Sequence, residues 1–520
     1  MAQQRLASPQ VPLNPNSGQG ALATRMVTLG GVPVAILAAA ATAYLGATGL
    51  WYLAVAVIAS VPLAFVLHRY PLSVIMIWLL VMPFLVDDAG GTLRKIFWIT
   101  HRALPVIALL VIVASSRLGF REKQLPRLGW PELAMAAYVV FTLLSIGYLS
   151  QSDRALYDLY DRVVIPMALY LVVRLEEPDE RDLRRFVPVV LFVLLSQAAV
   201  GWLGWLAPQA LPGDWLDRAG TRTTGSLREV SVYGTTMVFA GALVLHAGWH
   251  AHRRTRRVIL FAAAILAGVM VFMTFSRASW LAGLVAFAAI SYAYRGVLRR
   301  TLIVVVPLLA LSIVLSGATQ FVEYADRRFL SDASEESALS RLPVAYAALN
   351  MVQERPIWGF GFGNFDLFDR QYQEAIPGLV VPEKDHASHN LYLTVLAEQG
   401  VSGFFVFVAP MLFWLAMAIP AARRLPKEGI RSRQFLIGLW AIVASFVVVN
   451  NFSNMRVSFG LGLWWIALGL VAAVTTTALR PGPPSPRAPG SESAADRVSA
   501  QIPSPAELRA IASRHHDHDA

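Results

Sequence analysis

Residues 385–405 read DHASHNLYLTVLAEQGVSGFF, a mostly apolar stretch that also holds two histidines, an asparagine, a glutamate and two glycines. A single helix from His389 to Pro420 would be about 48 Å long, well beyond the ~30 Å hydrocarbon core of a bilayer. Glycine often follows the last residue of a helix, because it adopts left-handed backbone angles without strain. We therefore predict a short helix over 389–399 at the outer membrane surface, a break at Gly400, and a membrane span from Val401.

The rest of the chain has the composition of a protein with many membrane spans. Of its 520 residues, 56% are hydrophobic and only 15% are charged, which is too apolar for a soluble globular protein. We expect an all-α polytopic integral membrane protein with about 12–14 transmembrane helices. The candidate spans are 30–47, 50–67, 71–86, 103–115, 131–150, 161–173, 186–207, 231–248, 258–275, 279–294, 301–317, 401–419, 435–451 and 457–477.

Lysine and arginine alternate in density along these spans, as the positive-inside rule requires. With the N-terminus in the cytoplasm, the basic clusters at 117–127, 174–185, 253–257, 295–300 and 423–433 all fall on the cytoplasmic side. This topology accounts for the net charge of +11, so the charge does not call for nucleic acid as a partner. The chain has no cysteine, which excludes disulfides and cysteine-ligated metals.

The same topology predicts three regions. Residues 1–24 and 480–520 are rich in Pro, Ser and other polar residues and are expected to be disordered cytoplasmic tails. Residues 25–479 form the transmembrane domain, in which 318–390 is one large loop on the outer face.

Several arginines are expected on that outer face, among them Arg222, Arg277 and Arg341. Converging guanidinium groups bind phosphate or diphosphate through bidentate, charge-assisted hydrogen bonds. An isolated arginine at a span end can instead snorkel to lipid headgroups, and the sequence leaves both readings open for Arg277. His389 is a candidate general base, with a solvated or capping histidine as the alternative.

Four motifs in this order resemble those of the O-antigen ligase and O-antigen polymerase (Wzy-type) superfamily of membrane glycosyltransferases. They are RTTGS at 222–226, TFSRASW at 274–280, SRLPVAYAALNMVQERPIWGFGFGNF at 340–365, and HNLYLTVLAEQGVSG at 389–403. The similarity covers about 190–410. Where many members have Asn-Pro-Asn after the first motif, this chain has REVSVYG at 228–234.

The resemblance implies a GT-C-like helical fold in the bacterial inner membrane, with both termini cytoplasmic and the active site periplasmic. It implies a glycan donor linked to undecaprenyl diphosphate, an acceptor glycan (lipid A core or a lipid-linked chain), and no cofactor, metal or nucleotide sugar. By the motifs, His389 would deprotonate the acceptor hydroxyl, and Arg222, Arg277 and Arg341 would hold the diphosphate. Asn390, Gly400 and Gly403 would shape the site.

Ligase, repeat-unit polymerase and protein-glycosylating activities all stay open at this stage, with a slight preference for a ligase in lipopolysaccharide or exopolysaccharide biosynthesis. A transporter or flippase of lipid-linked sugars is the alternative from a different class, although the spans lack charges near their centres. A third alternative is an enzyme that uses a lipid-monophosphate sugar and an acidic catalytic residue, for which Asp87 and Asp88 are the candidates.

Overall fold

The computed structural model describes residues 65–85, 91–121, 123–217, 222–294, 296, 341–373, 388–453 and 457–480. The described residues up to 478 belong to one compact unit. Within the described residues the secondary structure is entirely helical. The α-helices are α1 (Ser73–Val81), α2 (Gly91–Phe97), α3 (Leu104–Arg117), α4 (Trp130–Tyr148), α5 (Ala155–Leu159), α6 (Ile165–Glu176), α7 (Glu180–Leu206), α8 (Val230–Trp249), α9 (Arg254–Phe272), α10 (Arg277–Ala293), α11 (Leu342–Glu354), α12 (Phe365–Tyr372), α13 (Leu391–Arg424), α14 (Arg433–Val449) and α15 (Ser458–Leu479).

The prediction of an all-α polytopic membrane protein is confirmed. Seven helices in the described part of the chain are long and apolar enough to cross a membrane, and three shorter apolar helices accompany them. The seven are Leu93–Arg117, Trp130–Tyr148, Glu180–Leu206, Val230–Trp249, Arg254–Phe272, Leu391–Arg424 and Ser458–Leu479, and the three are Ser73–Phe84, Arg277–Ala293 and Arg433–Val449. Predicted spans 30–47 and 301–317, most of 50–67, both tails, Asp87 and Asp88 lie outside the described residues.

Two predicted spans have different boundaries in the structure. The stretch 103–115 belongs to a longer apolar helix that begins at Leu93, and a π-helical segment, Trp98–Ala103, precedes α3. The stretch 161–173 begins as a π-helical segment, Tyr160–Val164, and becomes α-helical only at Ile165. A proline stands near the start of α3 and of α6. Proline lacks an N–H and disturbs the preceding turn, which accounts for both wide turns.

Contacts between helix ends place the basic clusters at 117–127, 174–185 and 423–433 at one end of the bundle, where the Thr476 hydroxyl also donates to Glu177 at 3.3 Å. Arg121 bonds Glu176 at 2.6 Å, the Arg185 guanidinium lies 5.1 Å from the Tyr70 ring centroid, and Arg431 donates to Thr477 at 2.8 Å. We call this the arginine-rich end and the opposite end the site end. The position of these basic clusters at one end of the bundle agrees with the alternation of basic and non-basic loops along the sequence.

Helix α15 occupies the centre of the bundle, since 94% of its apolar window is buried by the protein. Two tryptophans of this helix pack on aromatic side chains of neighbouring helices. Trp464 contacts Phe407 and Phe446, and Trp465 contacts Tyr170. Because lipid tails are as apolar as the helix, close packing rather than the hydrophobic effect holds it there.

The predicted break at Gly400 is confirmed. Gly400 has φ 65° and ψ −172° inside α13, which separates a short helix from the long span. The break frees backbone groups, and a loop that follows α11 binds them. The Val401 N–H donates to the Pro356 carbonyl at 2.7 Å, and the Phe360 N–H donates to the Ala397 carbonyl at 3.0 Å. A Cβ at Gly400 would lie 2.3 Å from the Ile357 carbonyl oxygen.

We expect Gly400→Ala to destabilise the protein by at least about 1 kcal/mol, because alanine resists positive φ and its Cβ would collide with backbone. The midpoint of thermal unfolding in detergent measures this. Gly438→Ala is the matched control, since a Cβ at Gly438 would meet nothing within 4 Å. Equal stability of the two variants would contradict the role given to Gly400.

Candidate functional site

The His389–Asn390 turn begins α13 at the site end. Asn390 is the N-cap residue, and its side-chain oxygen accepts from the N–H groups of Tyr392 at 2.9 Å and Leu393 at 3.1 Å. Ser388 Oγ donates to the Asn390 carbonyl at 2.8 Å. His389 has φ 51°, a left-handed conformation that is uncommon for a non-glycine residue. The caps on either side hold its backbone in this geometry, with the side chain half-buried.

Helix α14 anchors the same turn from behind. The Leu391 N–H donates to the Asn450 carbonyl at 2.8 Å, and Tyr392 Oη donates to the Val447 carbonyl at 3.2 Å. The Asn450 side chain is fully buried, and neither its amide nitrogen nor its oxygen has a hydrogen-bond partner. A buried amide without partners costs about 1–3 kcal/mol, so Asn450 is a candidate for contact with a bound molecule.

Arg222 lies in a loop that the bundle holds firmly. Gln197 bonds this loop twice, donating to Ser226 Oγ at 2.7 Å and accepting from the Ser226 N–H at 3.2 Å. Ser226 Oγ also donates to the Pro83 carbonyl at 2.7 Å. Gly225 has φ +57°, and a Cβ there would lie 2.5 Å from the Gln197 side-chain oxygen. The RTTGS segment therefore needs its glycine for backbone reasons.

The Arg222 guanidinium is partly desolvated. Its Nε atom is buried and forms no hydrogen bond. Burial lowers the pKa of Arg222 from its ordinary value, while the charges of Asp217 and Glu229 oppose the shift. Arginine nevertheless stays protonated at neutral pH, so Arg222 presents a cation whose Nε–H is free to bind an anion.

In REVSVYG, the departure from the family pattern, Glu229 caps helix α8. Its carboxylate accepts from the N–H groups of Ser231 at 3.2 Å and Val232 at 2.7 Å. A carboxylate is favourable at a helix N-terminus. Arg228, one residue before it, pairs with Asp214 at 3.2 Å.

Arg277 is the first residue of α10 and is exposed. Ser276 caps this helix by accepting from the Ser279 N–H at 3.4 Å. Trp280 stacks on Phe272 with centroids 4.9 Å apart and donates to the Phe272 carbonyl at 2.9 Å. The Ser-Arg-x-x-Trp turn is therefore rigid.

Trp205 joins the Arg222 loop to the Arg277 turn. Its Nε1–H donates to Thr223 Oγ1 at 2.9 Å, and its ring packs on Phe275 at a centroid distance of 5.8 Å. Thr223 follows Arg222 and Phe275 lies two residues before Arg277, so one side chain holds the two basic segments side by side.

Helix α10 links these segments to the His389 turn. It packs along α14, and at the arginine-rich end Gln434 of α14 donates to the Ala293 carbonyl of α10 at 3.3 Å. The two helices are thus antiparallel, and Arg277 lies at the end where Asn450 holds the His389 turn. Arg222, Arg277 and His389 share the site end.

Arg341 occupies a different part of the same region. It is the N-cap residue of α11, and α11 packs on residues 391–399 through a cluster that includes Val344, Met351 and Ala397. The structure places Arg341 at the start of a helix that packs on the short helix following His389.

Gly400 and Gly403 follow the His389–Asn390 turn along α13, and each allows a close contact between α13 and a neighbouring segment. A Cβ at Gly403 would lie 2.8 Å from the Phe141 ring of α4, so the glycine lets α13 approach α4 closely. Neither glycine carries a chemical group for the site, and their part is to fix the path of the helix that follows His389.

A wide apolar groove of about 930 Å³ runs between α10, α13 and α14. Tyr392 and Asn451 line it at the site end, next to the His389 turn, and Ala422 and Leu436 line it near the other end. Its walls are almost wholly hydrocarbon, and its length matches the span of the helices that form it.

Together these features define a multi-pass membrane protein with arginines and a histidine at one end of its helix bundle. Residues 262–408 match the family model described as O-antigen ligase. This match supports the O-antigen ligase and polymerase superfamily, and with it a ligase- or polymerase-type activity. It includes Arg277, Arg341 and His389, whereas Arg222 precedes it. No curated protein matches the chain.

The sequence reasoning missed Trp205 and Asn450. Trp205 gives no signal in sequence, because its two partners are distant in the chain. Asn450 gives a weak one, since two consecutive asparagines end the predicted span 435–451, where a lipid-facing position would favour apolar or aromatic residues.

We expect Asn450→Leu to lower glycan transfer at least about tenfold while the protein remains as stable as wild type or becomes more stable, because leucine removes the two unpaired polar atoms. Transfer in membranes and the unfolding midpoint in detergent measure the two effects. Gln434→Leu, which removes an amide at the opposite end of the same helix, is the control. Full transfer by Asn450→Leu would assign the buried amide a structural role only.

Proposed function

We propose that this protein is a glycosyltransferase that moves a glycan from undecaprenyl diphosphate to a sugar hydroxyl of an acceptor glycan. The observation that carries the proposal is the placement of His389 and two arginine-bearing segments at the end of the bundle where a long apolar groove begins. The groove suits a polyprenyl tail, the arginines suit the diphosphate, and the histidine suits a proton acceptor.

The reaction needs one proton transfer and one bond exchange. His389 takes the proton of the acceptor hydroxyl while that oxygen attacks the anomeric carbon of the donor glycan. The bond between that carbon and the diphosphate oxygen breaks, and the diphosphate leaves on its lipid with the bonding electron pair. The proton then passes from His389 to solvent.

Arg222 and Arg277 stabilise the negative charge that develops on the leaving diphosphate. Guanidinium groups do this best when they are already in position before the reaction, because no reorganisation is then needed. The Trp205 contacts give the two segments such a fixed relation. Arg341 acts as a further contact to the same group. In this mechanism the guanidinium groups, rather than a metal ion, neutralise the charge on the leaving diphosphate.

The site end faces the periplasm and the arginine-rich end the cytoplasm in this proposal, by the positive-inside rule. A GT-C-like enzyme of the bacterial inner membrane would then receive its donor from the outer leaflet. The ligase reading, with lipid A core as acceptor, is preferred because the His-Asn and Gly-x-x-Gly elements at 389–403 are complete.

We expect His389→Ala and His389→Gln to lower transfer by about 10²–10⁴-fold, the range that general base catalysis supplies. The measurement is a gel profile of envelope glycans from a deletion strain complemented with each variant. The matched control is His68→Ala, since His68 is an exposed histidine outside the site. Wild-type glycans from His389→Ala would contradict the mechanism.

The same gel profile separates the two activities of the superfamily. Bare lipid A core with polymer accumulated on undecaprenyl diphosphate identifies a ligase. Core capped by one repeat unit, or loss of a secreted polysaccharide, identifies a polymerase. An unchanged profile in the deletion strain would contradict both.

We expect Arg277→Lys to lower transfer about tenfold or more, because a lysine ammonium cannot reproduce a bidentate grip on diphosphate. Initial rates with a purified lipid-linked donor measure this. Arg228→Lys is the control, since Arg228 lies at the same end and already pairs with Asp214. Wild-type rates for Arg277→Lys would indicate an arginine that only reaches lipid headgroups.

A further inference from the structure

A second cavity, of about 230 Å³, lies at the arginine-rich end of the bundle. Its inner part is apolar and is formed mainly by α7, α8 and α15. The side chains that line this part include Leu79, Phe186, Val190, Phe239, Ile466 and Leu470. The proposed transfer reaction makes no use of this cavity, because His389, Arg222 and Arg277 lie at the opposite end.

The mouth of the cavity is basic. Arg184, Arg253 and Arg256 line it together with His250 and His252. Arg253 and Arg256 are exposed, and neither forms an ion pair or a hydrogen bond with a described residue. Arg184 lies 3.8 Å from Glu180 with both side chains about half exposed, and such a pair contributes little. The mouth therefore carries a net positive charge, with Glu180 and Glu428 as the acidic groups near His250.

Two histidines in edge-to-face contact, His246 and His250, also line the cavity. His246 Nε2 lies 2.9 Å from the Ile430 carbonyl and Nδ1 lies 2.5 Å from Tyr294 Oη. A carbonyl only accepts, so Nε2 donates to it, and in the neutral imidazole Nδ1 accepts from the tyrosine hydroxyl. His250 packs on it at a centroid distance of 4.8 Å. The buried Nε2 of His250 has no hydrogen-bond partner.

We propose that this cavity binds an anionic phospholipid, with an acyl chain in the apolar part and the phosphate between Arg184, Arg253 and Arg256. A free phosphate would leave the apolar part unused, and a zwitterionic lipid would leave the arginine charges uncompensated. Basic pockets between membrane helices recognise acidic headgroups in this way, and guanidinium groups hold phosphate oxygens bidentately. The His250 Nε2 supplies one further polar contact at the boundary.

The first test is native mass spectrometry of the full chain in detergent, titrated with phosphatidylglycerol or with phosphatidylcholine of the same acyl chains. We expect phosphatidylglycerol to bind about tenfold or more tightly. The triple variant Arg184→Gln, Arg253→Gln, Arg256→Gln should lose this preference. The triple variant Arg117→Gln, Arg423→Gln, Arg433→Gln removes the same charge from the same end outside the cavity and should keep it.

The second test locates the lipid with a phosphatidylglycerol that carries a diazirine in one acyl chain. We expect cross-links to the part of α8 that contains Leu243 and Ala247. The variant Ala247→Phe should remove them by filling the cavity, and inorganic phosphate should compete only weakly.

Four outcomes would overturn the proposal. They are equal binding of the two lipids, equal loss of preference in both triple variants, displacement by inorganic phosphate as effective as by lipid, and an absence of cross-links to α7, α8 and α15. The last would indicate that another part of the chain fills the cavity. None of these results depends on whether the protein transfers glycans.

Discussion

The break in α13 at Gly400 is the constraint on which the site depends. A helix that ends inside a membrane protein leaves carbonyl and N–H groups that must be satisfied by protein, since lipid offers no partner. Here the loop at 356–361 satisfies them: Phe360 and Gly361 donate to the carbonyls of Ala397 and Glu398, and Val401 donates to that of Pro356. The short helix that begins at Leu391, just after His389, is thereby set at a fixed position above the span.

The rest of the site follows from how the bundle holds its loops. The Arg222 loop and the Arg277 turn are each bonded to helix ends, and Trp205 connects them. Glycines and capping residues fix the backbone of these segments, and in the proposed mechanism their charged side chains bind the diphosphate. Such an arrangement suits a reaction whose main requirement is stabilisation of a leaving group that is already charged.

Much of this was accessible from sequence where the signal is local. Apolar stretches of span length located the helices, and the length of the stretch after His389 together with a glycine located the break. The boundaries that differed have a local cause as well, since Pro105 and Pro166 follow wide π-helical turns. The features that could not be predicted from the sequence are contacts between residues far apart in the chain. The burial of Asn450, the bridging position of Trp205 and the meeting of Arg184 with Arg253 around one cavity depend on helices far apart in the chain.

The central position of α15 bears on how the protein is assembled. A chain made from its N-terminus delivers α1 to α14 to the membrane before α15, yet α15 is the helix that those neighbours surround. A Cβ at Gly462 would lie 2.3 Å from the Trp78 ring, and one at Gly469 would lie 3.0 Å from the Tyr170 carbonyl, so it fits only by close approach to helices already inserted. We therefore expect the earlier helices to reach their final packing only when this late helix enters the bundle.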